Sequence, residues 1–362
     1  MMKVILLLTL LVILSIMASA IPATASTPYQ MNRLGFLPGD GYSSAKRINN
    51  AGEVLGFSAS FNGLPNGVIS SFLWNHTSGM VDIQVKDQLD TLGDVNNNGQ
   101  IAGTAYRGYG PTTAVLREAN GELIQLDPIT EGAYGTYAYA LNNNGWIVGT
   151  SGNYAVIWQG NTVAQMIGGA PSSYSYAMDV NNNGSIAWVE SLYDDGQWVG
   201  THSYVWNQGN STVLKVLNAS DNCQAASIND SGTIVGNSGD HAVVWGSDGN
   251  IILDLGIGYA YGINRNGQIV GTSENRAVLW NSNGSIAADL GALAGMSNPS
   301  IAYSINDSGQ IVGEAGYDEY QNVEAVLWQP IVPEPSSILT LVGGLLSIGG
   351  VMLKRRAKAF QP

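Results

Sequence analysis

Along most of the chain, apolar residues come in short runs rich in Ile, Val and Ala. Polar turns ending in glycine separate these runs, a rhythm of strands and not of helices. The clearest unit reads INNAGEVLG at Ile48 to Gly56. It returns as VNNNGQIAG from Val95, LNNNGWIVG from Leu141, VNNNGSIAW from Val180, INDSGTIVG from Ile228, INRNGQIVG from Ile263 and INDSGQIVG from Ile305. The starts lie 47, 46, 39, 48, 35 and 42 residues apart, close to the roughly 40–45 residues of a four-stranded propeller blade. Each unit is predicted to be two strands joined by a hairpin turn. A third strand follows in every copy, ending at Trp74, Arg117, Trp158, Trp206, Trp245, Trp280 and Trp328, most often as AVLW. The repeated tryptophans are expected to pack between blades. A fourth strand is clearest as GNIILDLG up to Gly256 and GSIAADLG up to Gly291.

The last copy runs straight into the C-terminal segment without a fourth strand. Tyr29 to Gly35 supplies a candidate, because RLGFLPG at Arg33 to Gly39 echoes DLGALAG at Asp289 to Gly295. The predicted fold is therefore all-β: a seven-bladed β-propeller over residues 28–330, with the N-terminal strand closing the last blade and removing exposed sheet edges. A β-solenoid would not need this match.

Composition fits the same picture. The 46 Gly and 33 Asn concentrate in Asn-x-x-Gly turns such as Asn142 to Gly145, where positive φ is expected at Asn and Gly. Gly149, inside a second strand, signals a bulge or close backbone approach. The single cysteine, Cys223, excludes an internal disulfide framework and reads as an inert thiol. Collagen's three-residue period is missing, as are phosphate-loop, HExxH and GxSxG motifs. His76, His202 and His241 fall at third strands of different blades, without ligand spacing.

The two ends read as addresses. Met1 to Lys3, the apolar run Val4 to Met17 and the small residues after it have the form of a signal peptide over residues 1–25. Residues 332–358 hold Pro333-Glu334-Pro335, then an apolar stretch 338–353, then Lys354, Arg355, Arg356 and Lys358. As a helix the stretch would cover about 24 Å, marginal against a ~30 Å hydrocarbon core, with the basic cluster on the cytoplasmic side. A plain single-span anchor is the simpler reading of the same residues. Leaving out the five cations of the two ends, residues 26–335 hold 9 basic against 27 acidic groups, close to -18. That balance excludes nucleic acid as a partner, since phosphate neutralisation needs clustered cations.

The tail resembles the PEP-CTERM sorting signal of Gram-negative bacteria. That resemblance implies recognition of Pro333, Glu334 and Pro335 by an exosortase-type membrane enzyme, with removal of the helix and basic end. The seven units resemble the HAF family of extracellular repeats over most of residues 29–330. The two resemblances together imply an exported protein of the cell envelope, cell surface or extracellular matrix, held at least transiently in the inner membrane. Neither supplies catalytic residues.

In a propeller the 2-3 and 4-1 connections share one face, and here these are the variable segments, which makes that face the expected binding surface. Its candidates are Tyr106, Tyr109, Tyr193, Asp194, Asp195, Tyr317, Asp318, Glu319 and Tyr320: tyrosines stack on sugar rings and carboxylates bond hydroxyls. The expected partners are extracellular polysaccharide or a surface protein. No catalytic residue and no cofactor is assigned, apart from calcium. Asp179, Asn181, Asn183 and Glu190 stand at the first, third, fifth and twelfth places of a calcium loop, although this segment is also the fourth copy of the hairpin. A glycan hydrolase or lyase using carboxylates from different blades is the alternative function, and a purely structural matrix role is a third.

Overall fold

The computed structural model describes residues 29–60, 68–83, 91–105, 112–129, 135–160, 162–170, 173–291, 299–316 and 323–331. The chain divides into two compact units, Met1–Gln329 and Pro330–Pro362. The signal peptide, the Pro333-Glu334-Pro335 motif and the expected helix 338–353 lie outside the described residues. Among the described residues no helix is long and apolar enough to cross a membrane.

Among the described residues twenty-eight strands form seven antiparallel sheets of four, a seven-bladed propeller. Blade one holds strands Tyr42–Ile48, Val54–Ser60, Val68–Asn75 and Gly79–Asp82, paired in chain order from the innermost outward. Blades two to six repeat that order. Blade seven takes Ser300–Ile305, Ile311–Ala315 and Glu324–Pro330 from the end of the unit and Tyr29–Gly35 from its start. The N-terminal strand thus forms the outer edge of the last blade. Arg33 pairs there with the buried carboxylate of Glu324, which also accepts the Gly35 N–H at 3.1 Å.

The core sits between blades. Seven apolar clusters occupy the seven blade interfaces, from blades one and two (Leu55, Ile101, Val115) round to blades seven and one (Val312, Leu327, Phe72). Trp158, Trp245, Trp280 and Trp328 are fully buried in them. Burial of an indole N–H demands an acceptor. Trp158 donates to Asp127 O at 2.7 Å, Trp245 to Lys215 O at 2.7 Å and Trp328 to Leu290 O at 3.0 Å, in each case crossing to the preceding blade.

Every innermost strand carries a bulge at the same place. The ladder to the second strand skips Lys46, Gly93, Tyr139, Met178, Ala226, Tyr261 and Tyr303 in blades one to seven. An extra residue bends the strand and increases its twist, and the second-strand glycine lies opposite. A Cβ on Gly149 would stand 1.9 Å from Tyr137 O, and one on Gly313 1.8 Å from Ile301 O. Blade four departs from this rule, with Trp188 in the glycine's place, stacked on Tyr204 at 4.1 Å between ring centroids.

The turns correct one expectation. Positive φ falls on glycines such as Gly145 (82°), whereas the asparagines of these hairpins are outside that region. With Gly145 N bonded to Asn142 O, the turn is a four-residue reversal closed by a left-handed glycine. The first asparagine is selected by its side chain. Its Oδ1 accepts two main-chain N–H groups of its own turn, those of Asn144 and Trp146 for Asn142. Its Nδ2 donates to the main-chain oxygen of the equivalent asparagine one blade on. These donations run Asn49 to Asn96 (2.9 Å), Asn142 (3.1 Å), Asn181 (2.9 Å), Asn229 (2.8 Å), Asn264 (3.1 Å), Asn306 (3.0 Å) and back to Asn49 (3.0 Å). A closed circle of seven amides therefore laces the blades together around the axis. Asn142→Ala removes three bonds of a buried side chain and leaves two turn N–H groups without their acceptor, so a loss of about 2 kcal/mol or more is expected in a urea unfolding curve.

Candidate functional site

Of the loop-face candidates, Tyr193, Asp194 and Asp195 lie at the tip of the long blade-four hairpin, strands Ile186–Asp194 and Gln197–Asn207. Asp195 (φ 46°) and Gly196 (φ 76°) form its tip. Tyr193 meets Tyr174 edge-on at 5.5 Å and pairs across the hairpin with Trp198. Tyr106, Tyr109, Tyr317, Asp318, Glu319 and Tyr320 lie outside the described residues.

Beside this hairpin a cleft of about 300 Å³ runs between blades four and five. Blade four contributes Tyr176, Trp198 and Thr201, and blade five contributes Asn222, Gln224 and Asn237. Trp198 is 52% exposed, a large apolar ring facing water, with Val199 (59%) next to it. The amides are held in place: Asn222 Oδ1 accepts the Thr201 N–H at 3.0 Å, and Asn237 Nδ2 donates to Gly239 O at 3.1 Å. An open aromatic face beside oriented amide groups can stack on a sugar ring and bond its hydroxyls. No carboxylate or imidazole is among the described residues of the lining. Sequence reading passed over Trp198 and the three amides. The available signal was that Trp198 stands outside the recurrent third-strand Trp position.

The four residues expected to hold calcium do not converge. Asp179 lies opposite Ala187 in the hairpin, whereas Glu190 lies opposite Ser175, three residues further along the second strand, or about 10 Å. Their oxygens have other work. Glu190 accepts from Ser173 Oγ (2.7 Å) and Tyr204 OH (3.3 Å), and Asn181 Oδ1 binds its own turn. Asn183 donates its amide to Asp230 O. The hairpin register, which places Glu190 up the strand and not back over the turn, overrides the sequence pattern.

A second recess of about 200 Å³ lies on the propeller axis, ringed by the asparagine turns. Arg47 enters it and approaches Asp94 at 3.8 Å. Burial raises Asp94 to about 6 against the opposing pull of Arg47, and burial likewise raises Asp179, whose bonds from Ser227 and Ile228 oppose the shift. Elsewhere on the inner strands, Lys46 stands 3.5 Å over the Tyr303 ring and 3.6 Å from Glu314. Burial lowers Lys46 to about 8 although Glu314 acts the other way. Tyr303 is pushed up, by burial first and then by Glu314, to which it donates at 2.9 Å. Cys223 is buried with its thiol raised to about 11, as suits an inert residue.

Fold and recesses together define the chain as a closed seven-bladed β-propeller assembled from one repeated hairpin unit. No family model matches it, and no curated protein does. Solved structures of similar fold include YCF48 bound to D1 peptide (13% identity, 86% of this chain and 98% of that one, TM-score 0.48). Others are TolB from Acinetobacter baumannii (14%, 58% of this chain and 53% of that one, TM-score 0.41) and the six-bladed fucose-recognising lectin of Aleuria aurantia (8%, 83% and 99%, TM-score 0.34). At these identities the likeness is one of fold.

Proposed function

We propose that this chain is an exported bacterial binding module of the cell surface or exopolysaccharide matrix, non-catalytic, with the blade four–five cleft as its saccharide contact. The observation that carries the reading is the half-exposed Trp198 set beside fixed amide side chains in one cleft on the variable face. Signal-like residues 1–25 and the Pro333-Glu334-Pro335 tail support export and processing by an exosortase-type enzyme in a Gram-negative envelope. An acidic body suits neutral saccharides better than polyanions. Screening the full chain on a glycan array and in pull-downs of matrix material should find neutral saccharide binding that Trp198→Ala weakens about 10-fold or more. Retention of no saccharide, or equal retention by the variant, overturns the proposal.

A further inference from the structure

The residue just before the recurrent hairpin segment differs from blade to blade: Arg47, Asp94, Ala140, Asp179, Ser227, Gly262 and Ser304. It sits next to the axial recess, and its two aspartates show what the surrounding backbone asks for. Asp179 takes its own neighbour's N–H (Val180, 2.8 Å) on Oδ1. On Oδ2 it takes two donors from the following blade, Ser227 Oγ at 2.7 Å and Ile228 N at 2.8 Å. Asp94, two blades earlier, likewise accepts main-chain donors from its own neighbour and from the following blade, Val95 N at 2.8 Å and Leu141 N. A carboxylate thus bridges blades four and five, and another bridges blades two and three.

Blades six and seven repeat the donors without the acceptor. Ser304-Ile305 in blade seven stands where Ser227-Ile228 stands in blade five, and Ile263 stands where Val180 does, but Gly262 replaces the aspartate. Backbone register directs these N–H groups the same way. Asn264 N bonds Gln268 O and Asn306 N bonds Gln310 O, as Asn229 N bonds Thr233 O. In an antiparallel ladder the preceding residue then points its N–H away from its partner strand. Because the innermost strand is the sheet edge, away means toward the axis, where Ile228 N meets Asp179. Gly262, Ile263, Ser304 and Ile305 all border the axial recess.

We propose that the axial recess binds a small carboxylate ligand between blades six and seven, held by the Ile263 and Ile305 N–H groups and the Ser304 hydroxyl. The ligand's carboxylate stands in for the side chain that Gly262 lacks. Arg47 and Arg265 in the same recess, together with the main-chain donors already on Asp94, Asp179, Asp230 and Asp307, oppose the four resident carboxylates. A recess of about 200 Å³ compares with the roughly 150 Å³ that encloses benzene, so the ligand is an organic acid or a single acidic sugar and not a polymer segment. The inference is independent of where the chain resides and of what its loop face binds.

Titration calorimetry of the full chain with acetate, glucuronate and glucose tests it. One or both acids should bind and glucose should not; acetate alone identifies a small free acid, and glucuronate alone or more tightly an acidic sugar. Gly262→Asp supplies the missing carboxylate internally and should weaken acid binding more than about 10-fold. A Cβ there stands 3.0 Å from Tyr303 O, 3.2 Å from Ser304 Cα and 3.3 Å from Val270 Cγ2, and the aspartate-bearing blades place Ala102 and Ala187 at the position of Val270. Adding Val270→Ala to Gly262→Asp relieves the side-chain contact and restores the pairing seen in blade four, while the blade-seven main chain must still give by a few tenths of an ångström, so Ser304→Ala carries the test if neither Gly262 variant folds. Ser304→Ala, which removes one donor and adds no volume, should weaken acid binding severalfold. Absence of acid binding to the unmodified chain, equal binding of glucose, or unchanged acid affinity in the folded Gly262 and Ser304 variants overturns the proposal.

Discussion

Gly271→Ala is expected to lower stability by about 3 kcal/mol or more, read as a drop in the urea midpoint with unchanged slope. Its Cβ would lie 1.9 Å from Tyr259 O, well inside any non-bonded contact, and that oxygen belongs to the bulged inner strand next to Ala260. Neither partner is a flexible side-chain end, so the inner strand itself must move. Moving it disturbs the Val235 and Trp280 cluster that packs around Ala260. Gly267→Ala, at the turn of the same hairpin, separates two causes. There φ is +74° and the nearest atom is Ser282 Cβ at 3.0 Å, a surface side chain, so only the left-handed backbone penalty of about 1 kcal/mol is expected. A cost at Gly267 equal to that at Gly271 would mean that backbone conformation, and not the close approach at the bulge, selects these glycines.

Both glycines were visible in the sequence, and the reasons for visibility are physical. A repeated unit must solve the same steric problem seven times, so INxxGxIVG and AVLW expose strand order, turns and blade number together. Closure was readable from the echo of DLGALAG in RLGFLPG, since one strand position demands one side-chain pattern. The role of the asparagine was misread for a related reason: local turn chemistry explains an Asn equally well, and its amide reaches a residue 35 to 48 positions away along most of the circle. The binding recesses were hardest to see. Trp198 and Asn222 come from different blades, and the cradle beside Gly262 shows only when a residue that breaks the repeat is set against the two aspartates that satisfy the same donors. Repeats make the scaffold legible, and departures from them mark the sites.

Deletion of Tyr29–Gly35 should have the largest effect of any change of similar size, because those seven residues are the fourth strand of blade seven. Without them Glu324–Pro330 becomes an unpaired edge, the template for association with a second chain. The loss also strips Tyr29 and Met31 from the blade six–seven cluster and Leu34 from the blade seven–one cluster. A propeller has no independent core on which to fall back, since its apolar groups lie between neighbours, so the opened ring should lose its single cooperative transition and aggregate on concentration. Size-exclusion chromatography with a denaturation curve reads both effects. A synthetic peptide of residues 27–37 added in trans should restore the transition, as strand addition to an exposed edge allows. A milder cut isolates the ion pair. Arg33→Met leaves the Glu324 carboxylate, 4% exposed, with the Gly35 N–H and no cation. Because the arginine side chain is 63% exposed, the expected cost is about 2 kcal/mol, below the 3–5 kcal/mol typical of breaking a fully buried pair. Adding Glu324→Leu to that variant should recover most of the loss, since an apolar pair removes the stranded charge. If the deletion variant instead remains monomeric and unfolds at the native midpoint, the strand is an ornament and the ring is closed by the asparagine circle alone.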